Sequence, residues 1–188
     1  MPRKVATKAG EILIRSFEEA DRTAFVSLYQ QVFAEPPWNE TWTREAVDKE
    51  ISEYFGQRSL HFVLAFLAPN NGQDSNNRHT GELVGFSVAY ELNLEHFPFL
   101  SGVFESGEAI YGDELGVRSD LRGKGIATAL IIARMEDMSE AGYSYLVGRT
   151  HVESKMVPLY IKLEFKNTGI QDSTYPNRFY FVRELRRR

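Results

Sequence analysis

Two kinds of apolar pattern alternate along this chain and restrict the folds that it can adopt. Short runs rich in β-branched and aromatic residues predict strands at residues 11–17, 62–68, 83–90, 109–117, 143–150 and 177–185. Longer runs whose apolar residues recur every three or four positions predict helices at residues 18–33, 43–55, 123–141 and 155–163. The order βααβββαβαβ indicates the α/β (mixed α+β) class, with a mixed sheet flanked by helices.

Length and composition favour one compact domain over residues 1–188. A chain of 188 residues, 43% of them apolar, can bury a core without the help of disulfides or metals. Residues 1–10 precede the first strand-like run, and we expect them to form a flexible N-terminus. Residues 91–108 are less regular, and we expect them to form an insertion or a lid.

Charge and composition also exclude several classes of function. The chain has no cysteine, which excludes a thiol nucleophile, thiolate zinc sites and cysteine-held iron–sulfur clusters. Its formal net charge of −4 argues against nucleic acid as a partner. No run approaches the ~20 apolar residues of a membrane span, and no signal-like apolar segment follows the basic N-terminus. We expect a cytoplasmic protein without membrane or nucleic-acid partners, and the oligomeric state stays open, a homodimer included.

Residues 116–127, with the sequence G-V-R-S-D-L-R-G-K-G-I-A, carry the most specific chemical signal. A predicted strand ends here, and glycines open a helix whose first N–H groups have no acceptor within the helix. The helix dipole and the charges of Arg122 and Lys124 favour an anion such as a phosphate. An ordinary strand-to-helix turn is the alternative. Arg118 stands where a P-loop requires glycine, and Thr128 stands where the dinucleotide fingerprint requires glycine or alanine.

The pattern R-x-x-G-x-A remains, formed by Arg122, Gly125 and Ala127. It resembles the pyrophosphate loop, Q/R-x-x-G-x-G/A, of the GNAT superfamily of acyl-CoA-dependent N-acetyltransferases. The predicted order of elements resembles the order in that family over nearly the whole chain. The segment L-Y-I-K-L-E-F at residues 159–165 is similar to the family's Tyr-x-x-x-Gly-Phe pattern, with Glu164 in place of glycine.

The resemblance implies a GNAT-like acyl-CoA N-acyltransferase fold with a mostly antiparallel sheet, and acetyl-CoA as cosubstrate without a metal. The residues that it places at acetyl-CoA are Leu115, Gly116, Val117, Arg122, Gly123, Lys124, Gly125, Ile126 and Ala127. It assigns Tyr160 as the acid that protonates the leaving thiolate and Glu114 as the base that takes a proton from the amine, directly or through water. The N–H of Gly116 or Val117 would meet the oxyanion. Glu153 departs from the family, which usually has asparagine there.

The acceptor amine is expected to meet acidic and aromatic residues. Residues 91–114 contain six carboxylates and no lysine or arginine, and residues 91–108 are the candidate acceptor-site lid. Carboxylates beside aromatic faces suit an ammonium group. The candidate substrate-binding residues are Glu35, Trp38, Trp42 and Asp113. A polyamine, an aminoglycoside-like compound and a peptide amine all stay open as acceptors, and an acidic surface that keeps the protein soluble is the alternative.

Two hypotheses come from other classes of function. A non-catalytic acyl-CoA-binding regulator on the same fold would need neither Glu114 nor Tyr160, which would then be a solvated strand-end carboxylate and a core tyrosine. A serine hydrolase would use Ser87 in G-F-S-V-A, but Ala89 replaces the final glycine of the nucleophile elbow, and a strand continues there. Four histidines lack the spacing of metal ligands, namely His61, His79, His96 and His151.

Overall fold

The computed structural model describes residues 2–36, 38–68 and 81–185, and the predicted polar loop at residues 69–80, with His79, lies outside them. The strands in the described ranges are β1 (Arg3–Thr7), β2 (Gly10–Ser16), β3 (His61–Leu67), β4 (Glu82–Glu91), β5 (Ala109–Val117), β6 (Tyr145–His151), β7 (Lys166–Gln171) and β8 (Arg178–Glu184). The helices there are α1 (Arg22–Ala34), α2 (Arg44–Phe55), α3 (Ile126–Glu140) and α4 (Met156–Lys162). The ten predicted elements are confirmed, and β1 and β7 are additional.

The strands form one sheet in the order β1-β2-β3-β4-β5-β6-β8-β7. β1 with β2, β2 with β3, β6 with β8 and β7 with β8 pair in antiparallel fashion, whereas β5 and β6 are parallel. The predicted mixed, mostly antiparallel sheet is therefore confirmed. The chain divides into two compact units, of which unit 1 comprises Met1–Gln57, His61–Val88 and Glu114–Ile131. Unit 2 comprises Arg58–Leu60, Ala89–Asp113 and Ile132–Arg188. A single functional domain stays a prediction.

Unit 1 begins with a hairpin where the sequence predicts a flexible N-terminus. β1 pairs with β2 from Arg3↔Ile14 to Thr7↔Gly10. The Thr7 hydroxyl closes the turn, because it donates to the Gly10 carbonyl at 2.8 Å and accepts from the Ala9 N–H at 3.1 Å. The expectation of flexibility is corrected for β1, whose charged residues gave it no continuous apolar run.

The helices α1 and α2 contribute an aromatic core to unit 1. Phe25 lies with its ring centroid 5.1 Å from that of Phe86 on β4 and 4.9 Å from that of Phe62 on β3. Thr43 caps α2, since its hydroxyl accepts a hydrogen bond from the Ala46 N–H at 3.2 Å. This core holds the loop between the two helices, in which the predicted acceptor residues Glu35, Trp38 and Trp42 lie.

Unit 2 contains the parallel pair β5 and β6. Their register runs from Ala109↔Tyr145 to Gly112↔Gly148. β8 then pairs with β6 from Tyr145↔Glu184 to His151↔Arg178. β7 is polar and mostly exposed, so its sequence K-N-T-G-I-Q carries no run of apolar residues that could have predicted a strand. Within the described ranges, none of the helices in either unit is long and apolar enough to cross a membrane.

Residues 91–108 pack into the core of unit 2. Leu100 is fully buried, and Phe104 is buried in the same cluster as Tyr111 and Tyr180. The ring of Phe97 lies 4.7 Å from that of Tyr111. The segment is therefore part of a core, and its predicted role as an acceptor-site lid stays a prediction.

Candidate functional site

A glycine turn connects β5 to α3 in unit 1. We define residues 118–125 as the α3 turn. Gly123 has φ +74° and Gly125 has φ +98°, values that glycine adopts at far lower cost than other residues. Neither value is helical, which is why α3 begins at Ile126. The predicted helix start at residue 123 is therefore wrong by three residues.

The α3 turn leaves open space beside its backbone. A Cβ atom built on Gly123 would meet no heavy atom within 4 Å, and one on Gly125 would meet only Thr7 Cβ, at 3.9 Å. The first intrahelical bond runs from the Ala129 N–H to the Gly125 carbonyl at 3.0 Å. The N–H groups before Ala129 belong to the set that a helix leaves without an internal acceptor, so the turn suits an anion.

The structure brings together two predicted site residues of unit 1: Arg122, predicted to contact acetyl-CoA, and Glu35, predicted to contact the acceptor amine. Arg122 Nη1 lies 2.8 Å from Glu35 Oε2, and Arg122 Nε donates to the Val117 carbonyl at 3.0 Å. Both charged side chains are partly exposed. Lys124 is partly buried, and its carbonyl accepts from the Lys8 N–H at 2.9 Å, which ties the turn to the β1–β2 hairpin.

The two tryptophans of the loop after α1 pack against the helix. The Trp42 ring lies 5.2 Å from that of Tyr29, and its Nε1 donates to Glu40 Oε2 at 2.9 Å. The Trp38 ring lies 6.1 Å from that of Phe33. These contacts explain the positions of both indoles, and their predicted contact with an acceptor stays a prediction.

The end of β5 holds the predicted base and the predicted oxyanion donors. Glu114 and Leu115 are partly buried, whereas Gly116 and Val117 are buried. A Cβ atom on Gly116 would overlap the Phe86 ring, so glycine is required at that position by the core of unit 1. Ile126 and Ala127 then form the first turn of α3, with Ile126 buried.

Tyr160 lies on α4 in unit 2 and is only 7% exposed. Its ring stacks on Phe165 at 4.6 Å and lies 5.4 Å from Phe181. A Cβ atom on Gly148 would overlap its hydroxyl, so the glycine of β6 makes room for the phenol. Burial raises the pKa of Tyr160, and the positive charge of Arg134 opposes that rise.

Arg134 on α3 is a buried charged residue that was not predicted from the sequence. A Cβ atom on Gly112 would overlap its guanidinium. Because Gly112 and Gly148 are register partners, β5 and β6 receive Arg134 and Tyr160 at neighbouring positions. The signal was present in the sequence, since Arg134 interrupts the apolar run of α3.

A second group in unit 2, which we call the polar cluster, consists of Tyr90, Asp113, Arg149, Asp172 and Tyr180. Asp172 is its structural centre. Asp172 Oδ2 accepts from Arg149 Nη1 at 2.7 Å and from the Tyr180 hydroxyl at 2.8 Å. Its Oδ1 accepts from the backbone N–H groups of Thr174 at 2.8 Å and Tyr175 at 2.9 Å. Burial favours a higher pKa for Asp172, but these hydrogen bonds, led by that from Arg149, lower it to about 2.

Asp113, which the sequence predicts to contact the acceptor amine, belongs to the polar cluster. Its Oδ2 accepts from the Tyr90 hydroxyl at 3.0 Å. Burial raises the pKa of Asp113, against the opposing effects of that hydrogen bond and of the charges of Arg149 and Arg134. The other members of the polar cluster were not predicted. Arg149 could have been noticed in the sequence, because it is a charged residue within the apolar run of β6.

Two sequence hypotheses on other chemistry can be placed on the structure. Ser87 is fully buried in the middle of β4, and the strand continues to Glu91 rather than turning into a helix. The geometry of a hydrolase nucleophile is therefore not present at Ser87. Across residues 2–36, 38–68 and 81–185, we find no group of three or more His, Asp or Glu side chains placed to hold a metal.

Comparison with known proteins gives a family match and a set of structures with the same fold. A family model described as "Acetyltransferase (GNAT) family" matches residues 23–165. The PaiA N-acetyltransferase of Thermoplasma acidophilum, solved in complex with coenzyme A, has a TM-score of 0.64 and 16% identity over 92% of this chain and 98% of that chain. Arabidopsis thaliana NAA60, solved with a bisubstrate analogue, has a TM-score of 0.66 and 18% identity over 92% and 97%.

The ribosomal-protein-S18-alanine N-acetyltransferase of Escherichia coli has a TM-score of 0.62 and 14% identity over 93% of this chain and 94% of that chain. No curated protein sequence matches the chain. At these identities the structural likeness establishes the fold, and the family model establishes the family.

Proposed function

This chain belongs to the GNAT family of acetyltransferases, and we propose that it moves the acetyl group of acetyl-CoA to a primary amine by direct attack in a ternary complex. One observation carries the proposal. The α3 turn combines two glycines at positive φ with open space beside the opening of a helix. That geometry is what a pyrophosphate needs in order to approach backbone N–H groups.

We place acetyl-CoA at the α3 turn and the adjoining strand end. The residues proposed for it are Leu115, Gly116, Val117, Arg122, Gly123, Lys124, Gly125, Ile126 and Ala127. Their chemistry fits the group, because the turn supplies N–H donors, open backbone and two cationic side chains. The coenzyme A complex of the Thermoplasma acidophilum structure with the same fold supports this choice of cosubstrate.

The amine must lose a proton before it can attack. A primary ammonium with a pKa near 10.4, as in lysine, is only about one part in a thousand free base near neutral pH. Glu114 is proposed to accept that proton, directly or through water. The free amine then attacks the thioester carbonyl carbon, and the N–H of Gly116 or Val117 stabilises the oxyanion.

Collapse of the tetrahedral adduct completes the transfer. The C–S bond breaks, and the coenzyme A thiolate takes a proton from the Tyr160 hydroxyl. The attacking nitrogen loses its remaining extra proton as the amide forms, and that proton balances the one that Tyr160 must regain. A phenol pKa of about 10 lies above the roughly 8.5 of a cysteine-like thiol, so this proton transfer is uphill. Burial raises the pKa of Tyr160 further, and the charge of Arg134 works against that rise and so favours the acid role.

The acceptor is proposed to be a small-molecule or peptide amine. Its candidate contacts are Glu35, Trp38, Trp42 and Asp113. The Escherichia coli structure with the same fold belongs to an enzyme whose name gives a ribosomal protein alanine as acceptor, which supports the peptide option. The bisubstrate analogue bound to Arabidopsis thaliana NAA60 supports direct transfer.

A regulator that binds acyl-CoA without transferring the acyl group is the second candidate. The packing of the Tyr160 ring against Phe165 and Phe181 favours it, because that packing accounts for the tyrosine without any chemistry. A regulator would keep the α3 turn and would have no use for Glu114.

An amine screen separates the two candidates. The protein is mixed with acetyl-CoA and a panel of primary amines, and free thiol and the mass of the acetylated product are measured. The proposal predicts thiol release that depends on an amine and is lost in Gly125→Val. Acetyl-CoA binding by calorimetry without thiol release from any amine would favour the regulator.

A further inference from the structure

We infer that the acceptor carries an anionic group next to its amine, and that Asp113 receives the ammonium while Arg149 receives the anion. The inference rests on the proposed function and names its substrate class, an amino carboxylate such as a free α-amino acid.

Asp113 and Arg149 occupy neighbouring positions on two parallel strands. The β5–β6 register ends at Gly112↔Gly148, and Asp113 and Arg149 are the next residues on each strand. Successive side chains of a strand point to opposite faces of its sheet. The faces next to Gly112 and Gly148 hold Arg134 and Tyr160, so Asp113 and Arg149 lie on the other face together. The charge of Arg149 also acts on Asp113, so one carboxylate and one guanidinium face the same region.

Asp113 can accept more donors than it has within the protein. An ionised carboxylate has about four acceptor positions, and the Tyr90 hydroxyl occupies one of them, on Oδ2. The residue is partly buried rather than fully enclosed in the core. An ammonium donates three N–H bonds without accepting any, which matches the remaining capacity of this carboxylate.

Arg149 is positioned firmly without using all of its donors. Asp172 holds Nη1 at 2.7 Å and is itself fixed by three other donors. The guanidinium also interacts with the Tyr180 hydroxyl and lies 5.7 Å from the centre of the Tyr175 ring. It has five N–H donors in all, and the Arg149 side chain remains 25% exposed. The planar guanidinium suits a carboxylate or phosphonate better than a lysine would, because it can donate two parallel bonds.

The charge balance of the polar cluster favours this class over a polyamine. Asp113 lies within the electrostatic reach of both Arg149 and Arg134. Together with Arg134, the cluster holds two carboxylates, Asp113 and Asp172, and two guanidinium groups, so its charges balance. An amino carboxylate presents one charge of each sign and keeps that balance, whereas a polyamine or an aminoglycoside would add several positive charges. A peptide N-terminus has no carboxylate next to its amine and would leave Arg149 without a ligand.

Matched acceptors test the inference. The panel contains the common α-amino acids, each paired with its carboxamide, and kcat/KM for acetylation of the amine is measured with saturating acetyl-CoA. We expect the best acid to exceed its amide by roughly tenfold or more, the range of a charge-assisted hydrogen bond. Arg149→Gln should reduce that acid-to-amide ratio to within about threefold.

The ratio stays interpretable even if the variant is less stable, because acid and amide are compared on the same protein. Arg183→Gln is the matched control, since Arg183 is also a partly buried arginine of unit 2 and pairs with Glu164 at 2.6 Å. It should keep the wild-type ratio.

Acetylation of amides as well as acids would overturn the inference and leave the proposed function intact. Acetyl-CoA binding without acetylation of any acid would also overturn it, whereas failure to bind acetyl-CoA would overturn the proposed function itself.

Discussion

The α3 turn of unit 1 and the polar cluster of unit 2 offer ligands two different kinds of surface. The turn is built from backbone, with open space at Gly123 and Gly125 and partly exposed charges nearby. The cluster is built from side chains around Asp172, whose two oxygens take four hydrogen bonds. A ligand can bind the turn without disturbing a core, whereas the groups of the cluster also hold unit 2 together.

This difference separates the effects that substitutions should have. Changes in the turn should alter cosubstrate affinity, and those at its positive-φ glycines should also cost some stability. Changes at the buried groups of unit 2 should alter turnover or stability and leave cosubstrate affinity nearly unchanged. Each of the following variants tests whether effects on cosubstrate affinity and effects on turnover or stability separate in this way.

The largest expected effect is on turnover in Tyr160→Phe. The change removes one buried hydroxyl of unit 2 and keeps the ring that stacks on Phe165. General acid catalysis typically contributes a factor of about a hundred to ten thousand, so kcat should fall by that range. Acetyl-CoA affinity, measured by calorimetry, should change little. Tyr145→Phe, at a partly buried tyrosine of the same unit, is the control. A Tyr160→Phe enzyme that keeps more than about a third of wild-type kcat would assign Tyr160 to packing alone.

Gly125→Val should produce the opposite pattern, a loss of affinity. A branched side chain at the α3 turn would take the space proposed for pyrophosphate. Loss of two charge-assisted bonds, about 3 kcal/mol, corresponds to a rise of about a hundredfold in the Kd for acetyl-CoA. Calorimetry measures that Kd.

Gly142→Val is the matched control for backbone strain. Gly142 has φ +95°, nearly that of Gly125, and it also has open space around its Cβ position. The control should lose similar stability and keep wild-type affinity. Undiminished affinity in folded Gly125→Val would place the cosubstrate elsewhere.

Asp172 gives the pH test of the polar cluster. Its folded pKa of about 2 lies below its ordinary value of 3.8. A carboxyl group with a lowered folded pKa stabilises the protein above its unfolded pKa, and that contribution is lost as pH falls from about 3.8 toward 2. This pKa difference contributes on the order of 2 kcal/mol to the free energy of unfolding.

Asp172→Asn should therefore be less stable at neutral pH and should lose less stability than wild type on acidification below about pH 4. Denaturant unfolding across this pH range is the measurement. Asp120→Asn changes an exposed carboxylate of the α3 turn and should have little effect at any pH. If the free energy of unfolding depended on pH equally in wild type and Asp172→Asn, Asp172 would not be the residue that stabilises the polar cluster.

The smallest expected effect belongs to the Glu35–Arg122 pair. Both side chains are partly exposed, and such pairs are typically worth about 0.2–1 kcal/mol. If Glu35 competes with pyrophosphate for Arg122, Glu35→Gln should tighten acetyl-CoA binding by about two- to threefold. Glu40→Gln, in the same loop, should have no such effect. Weaker binding in Glu35→Gln would mean that Glu35 orients Arg122 for the cosubstrate.

The two regions also differ in how well the sequence predicted them. The α3 turn lies within one short segment, so its glycines, Arg122 and the start of a helix could be recognised together. The family resemblance that this segment carried is confirmed by the family model over residues 23–165. The polar cluster draws on residues far apart in the chain, and only Asp113 among them was singled out. Strand pairing and register bring the others together, and neither is readable from local patterns.

Two strands were missed for a related reason. β1 and β7 are short and polar and pair with neighbours that the sequence does predict. Their burial alternates between partial and exposed, so neither has the continuous apolar run that marks β3. Backbone pairing rather than side-chain burial defines these strands.

Initial rates with both substrates varied test the central claim most directly. Acetyl-CoA and the best acceptor from the amine panel are varied independently with the wild-type protein. Direct transfer in a ternary complex predicts intersecting double-reciprocal lines and no stable acyl-enzyme mass after incubation with acetyl-CoA alone. Parallel lines, or a protein mass increased by one acetyl group, would contradict direct transfer.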